Sequence, residues 1–156
     1  MGDGKDIVVE LDMEPSSSGA PCPLIVSNEH NLYVAYYLQD IPENYKFEAI
    51  GLVKFKNFHA YQFGPPNDEA FHGHPLYKKG LKPYGTYEIL KSSWVARFEM
   101  MNSVHEYHSK ESFDNLHHYV WSFHDTTLEV VAKGYSLNIK DDTINSVVSN
   151  IVSNIE

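Results

Sequence analysis

Two β-rich runs, His118 to Phe123 and Leu128 to Lys133, flank the turn-forming tetrapeptide His124-Asp125-Thr126-Thr127. That pattern predicts an antiparallel hairpin. With Asp125 and Thr126 as the two turn residues, Phe123 faces Leu128, Trp121 faces Val130 and Tyr119 faces Ala132. All three pairs are apolar and share one side. The other side receives His118, Val120, Ser122 and His124 opposite Lys133, Val131, Glu129 and Thr127. A slip of one residue destroys this sorting, because side chains alternate along a strand with a period of two. The chain therefore has to build a sheet with two unlike faces. Trp121 and Phe123 are expected in its core, and Glu129 on the more polar face.

Similar logic places the other elements. Residues 5 to 13 hold Ile7, Val8, Val9 and Leu11, enough for a short strand, and residues 14–21 form a flexible connector rich in Pro and Ser. Pro23 to Ser27 and Leu32 to Leu38, joined by Asn28-Glu29-His30-Asn31, predict another hairpin. The second of these runs is apolar on both sides, which marks a central strand. Between Glu48 and Phe63 the apolar positions change parity near Lys56–Asn57, as at a β-bulge. Thr86 to Leu90 reads as a strand. Ser92 or Ser93 then caps a helix from Trp94 to about His105, with Trp94, Phe98, Met101 and His105 on one stripe.

From Asp142 to the end, Ile144, Val147, Val148, Ile151, Val152 and Ile155 recur at helical spacing. Their neighbours are Ser and Asn, so this helix needs its stripe buried to exist. The protein's own sheet is the expected cover; the same helix of a second copy would instead make a homodimer.

The expected fold is α+β in a single domain, residues 1–156. An antiparallel sheet of about five to seven strands, open or barrel-like, is covered by one central helix and a C-terminal helix. The 12 Lys and Arg residues stand against 21 Asp and Glu, a formal charge of −9 that argues against nucleic acid as partner. Apolar runs are far shorter than the ~20 residues of a membrane-spanning helix, so no membrane association is expected. The acidic first twenty residues and the lone Cys22 point to a cytoplasmic protein.

Residues 63 to 85 carry Pro65, Pro66, Gly73, Pro75, Gly80, Pro83 and Gly85, which predicts one long irregular loop. Loops of about twenty residues are uncommon in compact domains and often functional. Most of the nine histidines lie on or after this loop. They match no zinc spacing, there is no second cysteine, and no phosphate-binding glycine motif occurs, so neither metal nor cofactor is expected. No Gly-x-Ser-x-Gly elbow surrounds a serine, so a serine nucleophile is not expected either. His124 and Asp125, as neighbours in a tight turn, are expected to point apart.

Gly64 to Glu69, Gly73 to Leu76, Ser92-Ser93-Trp94, Met101 to His105 and Phe123-His124-Asp125 resemble strings in a group of small bacterial proteins of unassigned activity. The resemblance covers part of residues 64 to 125. It implies a shared fold and carries over no activity. The functional expectation is a non-catalytic binding or interaction protein that uses the 64–84 loop to meet a small molecule or protein partner. Asn67, Asp68, Glu69, His72, His74, His105, His124 and Asp125 are its candidate ligand-binding residues, with Glu69, His72 and His74 converging in one pocket with His105 or with His124 and Asp125. The alternative is a small enzyme with a His/carboxylate site, metal-dependent or not.

Overall fold

The computed structural model describes residues 5–11 and 19–155. The connector expected at 14–21 lies mostly outside them. The class is α+β: nine antiparallel strands in two sheets, with one central and one C-terminal α-helix among the described residues. Two compact units divide the chain, one from residues 1–12 and 59–133, the other from 13–58 and 134–156.

The second unit holds β2 (Leu24–Ser27), β3 (Leu32–Tyr37), β4 (Glu48–Lys56) and β9 (Gly134–Asp142) in the sheet order β2-β3-β4-β9. The expected hairpin is present, with Ser27 opposite Leu32 and the Asn28 side-chain oxygen accepting from the His30 and Asn31 amides. β3 is central, and Leu32, Val34 and Ala35 are buried on its two sides. Gly51 makes room for Tyr36, its partner across the ladder: a Cβ there would lie 2.9 Å from the Tyr36 ring, which would have to shift.

The C-terminal helix α2 (Ile144–Asn154) starts at Thr143, whose hydroxyl accepts from the Ser146 amide. It packs on its own sheet, where Val147 and Ile151 are buried against Ala35 and Ile50. Replacing Ile151 with alanine is expected to cost about 2–4 kcal/mol by cavity formation. Val152→Ala, on the exposed side of the same helix, should stay within about 0.5 kcal/mol. Chemical denaturation of the two variants checks the orientation; equal losses would place the stripe wrongly.

The first unit holds β1 (Ile7–Glu10), β5 (Ala60–Gly64), β6 (Thr86–Leu90), β7 (His117–Ser122) and β8 (Thr127–Ala132), in the order β1-β6-β7-β8-β5. Among the described residues no further strand pairs beyond β1, β5, β2 or β9, so neither sheet closes as a barrel. The parity change near Asn57 also has a cause other than a bulge. β4 and β5 belong to different sheets, and Asn57, with φ of 47°, turns the chain out of the first ladder. Asparagine tolerates that left-handed conformation better than most residues.

In the β7–β8 hairpin Trp121 pairs with Leu128 and Tyr119 with Val130, two residues away from the register expected above. The loop is four residues long, closed by the Phe123 amide donating to the Thr126 carbonyl. A shift of two keeps every side chain on its expected face. Trp121, Phe123, Leu128 and Val130 are accordingly buried.

The long loop is more structured than its composition suggests. It makes two 3-10 turns, Phe71–Gly73 and Tyr77–Lys79, and sinks Phe71, Leu76 and Leu81 onto Tyr87, Ile89 and Val120 of the sheet. Burial of these three apolar side chains, each worth about 1.5–3 kcal/mol, holds a proline-rich segment in one conformation.

Helix α1 (Ser93–Asn102) is capped by Ser92, whose hydroxyl oxygen accepts from the Val95 amide. The buried Asp6 carboxylate accepts from the amide and hydroxyl of Ser93, placing negative charge at the helix's positive end. The helix stops at Asn102, where the Ser103 amide and hydroxyl both turn back to the Met100 carbonyl. His105 therefore lies beyond the helix, and the expected stripe ends early: Met101 is exposed, while Trp94 and Phe98 pack on His118 and His59.

Candidate functional site

Two clusters form where the long loop meets the β7–β8 hairpin, both within the first unit. The outer one begins with the Asp68 amide donating to the His124 carbonyl, which fastens the start of the loop to the hairpin turn. Asn67 caps the following turn by accepting from the Ala70 amide. The Asp68 carboxylate then accepts a hydrogen bond from the Tyr84 hydroxyl and lies 3.7 Å from His124 Nε2. His124 Nδ1 is 2.9 Å from the Asp125 carboxylate. The two turn neighbours thus bond to each other instead of pointing apart, because a four-residue loop leaves them room to do so.

This cluster is open to solvent, and its charges shift one another. The Tyr84 hydroxyl, helped by the His124 charge, holds Asp68 below the usual carboxylate range. Its bond to Asp125, followed by the charge of Asp68, holds His124 above the ordinary imidazole value. Tyr84 is itself raised, chiefly by its bond to Asp68, and Glu69 contributes to the negative potential acting on it and on His124. Tyr84 adopts a φ of 62° and is 50% exposed. A bulky aromatic residue in the left-handed region is an outlier that the surrounding structure must hold in place.

The inner cluster is built around Glu129, 3% exposed in the middle of β8. His74 Nε2 lies 2.9 Å from Oε2 and His118 Nε2 lies 2.7 Å from Oε1. The Leu76 amide donates to His74 Nδ1, which places that ring's hydrogen on Nε2, facing the carboxylate. His118 Nδ1 in turn meets the Ser92 hydroxyl at 2.8 Å. Burial alone would raise the Glu129 pKa. Hydrogen bonds from His118 and His74 outweigh it and bring the group down to about 2.

The eight candidate residues therefore do not share one pocket. Asp68, His124 and Asp125 come together with Glu69 beside them. His74 turns inward to Glu129, next to a small pocket of about 320 Å3 lined by Pro66 and Pro75. His72 is exposed on the first 3-10 turn, and Asn67 serves as a turn cap. His105 is exposed after α1, where its Nδ1 accepts from the Tyr107 amide. Tyr84, Ser92, His118 and Glu129 are the residues that sequence reasoning missed as site members. Among the described residues no group of three or more His, Cys, Asp or Glu is placed to hold a metal ion.

The chain matches no protein-family model, no curated protein and no solved structure. Roles for its residues follow from their geometry.

Proposed function

We propose that this chain is a binding or interaction protein whose non-catalytic recognition face is formed by Asp68, Glu69, Tyr84, His124 and Asp125. The observation that carries the reading is Tyr84. Its backbone is held in a costly conformation while the residue stays 50% exposed, a combination that packing alone does not reward. The three carboxylates around an exposed phenol suit a cationic group on a partner, and the chain's charge of −9 favours encounter with a basic one. The loop behind this face is fixed by buried apolar side chains and by the His74–Glu129 bond, so little ordering entropy is lost on binding.

Titrating isotopically labelled protein with an oligo-lysine peptide, and separately with an oligo-glutamate peptide, tests the reading by NMR. The basic peptide is expected to move the resonances of Asp68, Tyr84, His124 and Asp125, and the acidic one to leave them in place. Tyr84→Ala with Asp68→Asn should abolish those shifts. Equal responses to both peptides, or shifts confined to other residues, would overturn it.

A further inference from the structure

We propose that Ser92 is a nucleophile, activated by His118 and Glu129, that cleaves esters carrying an apolar acyl group bound in the groove along α1. Three independent observations meet at this residue. First, Ser92 sits where a strand passes abruptly into a helix: β6 ends at Leu90, Lys91 takes a φ of 52°, and α1 starts at Ser93. A sharp strand-to-helix turn is the setting of the nucleophilic hydroxyl in hydrolases; here the left-handed residue is Lys91, and Ser92 beside it is 8% exposed. Second, its hydroxyl lies 2.8 Å from His118 Nδ1, and His118 Nε2 lies 2.7 Å from Glu129. Third, Ser92 lines a groove of about 880 Å3, whose other walls include Ile89, Val95, Met100, Phe113 and Leu116. That volume is in the ~300–1,000 Å3 range of small-molecule sites.

The imidazole is used in the opposite sense to the familiar serine-protease order, with Nδ1 toward the serine and Nε2 toward the carboxylate. The chemistry requires one nitrogen free to take the hydroxyl proton and the other donating to an anion, and either order supplies both. Glu129 stays anionic down to about pH 2 and so fixes the hydrogen of His118 on Nε2. His74, itself pinned by the Leu76 amide, occupies the second carboxylate oxygen and stops Glu129 from turning away. His118 is fully buried and Trp94 packs edge-on against its ring at 5.1 Å, which keeps the base in place.

In the first step Ser92 Oγ bonds to the ester carbonyl carbon, its proton passes to His118 Nδ1, and the carbonyl π pair moves onto oxygen. The pair then returns, the bond to the leaving alcohol breaks, and the alcohol oxygen takes the proton from His118. Water repeats the sequence on the acyl-serine: its proton goes to Nδ1, the acyl–Oγ bond breaks, and Ser92 recovers the proton as the carboxylic acid departs.

The experiment is to treat the protein with diisopropyl fluorophosphate and locate the adduct by peptide mass spectrometry, alongside hydrolysis of p-nitrophenyl butyrate. The expected result is one phosphorylated residue, Ser92, and hydrolysis that falls by about 10²-fold or more in Ser92→Ala. Ser92→Asp provides a second variant that keeps a helix-cap acceptor while removing the nucleophile. Glu129→Gln, assayed where circular dichroism shows it folded, should label more slowly and with a displaced pH profile, as expected of a positioning residue. Folded wild-type protein that leaves Ser92 unlabelled, or hydrolysis that survives in both serine variants, would overturn the proposal; an unmoved pH profile would remove Glu129 from it. None of these residues belongs to the cationic-partner face, so each reading fails or stands separately.

Discussion

Replacing Trp121 with alanine is expected to lower stability by about 3–5 kcal/mol, the range for emptying a core of a large aromatic. The residue is 1% exposed, is paired on both sides with Thr86 and Leu128, and meets Tyr119 edge-to-face at 6.1 Å. A neighbouring strand on each side prevents the sheet from collapsing into the vacated volume, which favours the upper part of that range. Urea denaturation measures it directly. Tyr107→Ala, removing an aromatic that is 81% exposed, is the control and should change stability by less than about 0.5 kcal/mol. A loss under about 1 kcal/mol at Trp121 would mean that the hairpin does not form the core.

Glu129→Gln is expected to cost about 3 kcal/mol at neutral pH and almost nothing near pH 2. The native group titrates at about 2 against an ordinary value of 4.5, and that difference is worth about 3 kcal/mol through proton linkage. Because the folded value is the lower one, the contribution is complete above about pH 4.5 and is lost as the pH falls toward 2. The amide is a poorer partner: its NH2 cannot face His74, whose hydrogen the Leu76 amide keeps on Nε2, and facing His118 it forces that ring's hydrogen onto Nδ1, toward the Ser92 hydroxyl. Denaturant midpoints of both proteins at pH 7 and pH 3 should therefore converge on acidification. A gap that stays constant with pH would show that the carboxylate's charge contributes nothing to stability.

The hairpin shows how far sequence reading reaches here. Alternation assigned each residue of β7 and β8 to its correct face, since apolar burial distinguishes the faces strongly. It left the register free by two residues, because a shift of two preserves every face. That freedom hid the inner cluster. In the expected register His118 stands opposite Lys133 and Glu129 opposite Ser122. In the structure His118 faces Val131, one diagonal step from Glu129, and the two side chains meet. His74 was visible as a candidate, but its direction depends on Phe71 and Leu76 anchoring the loop. The strand β9 was not assigned from the sequence, although Tyr135, Leu137 and Ile139 alternate along it; its acidic end was read as the start of the C-terminal helix. His105 was lost for a local reason, the turn of Ser103 back to Met100 that ends α1 before it.

The pairing of Lys56 with Gly134 at the ends of β4 and β9 has a consequence for how the chain assembles. Seen from the four-stranded sheet, everything from residue 57 to 133 is the loop of a single hairpin. Closing an unstructured loop that long costs roughly 2–3 kcal/mol more than closing a four-residue turn, by the logarithmic growth of closure entropy. The inserted segment removes that difference when its own ends are tied together, as they are where the His59 amide donates to the Val131 carbonyl. The smaller sheet is thus a host whose stability is conditional on its guest. Any change that unfolds the insert, at Trp121 or Glu129 for example, weakens the β4–β9 ladder without touching a residue in it.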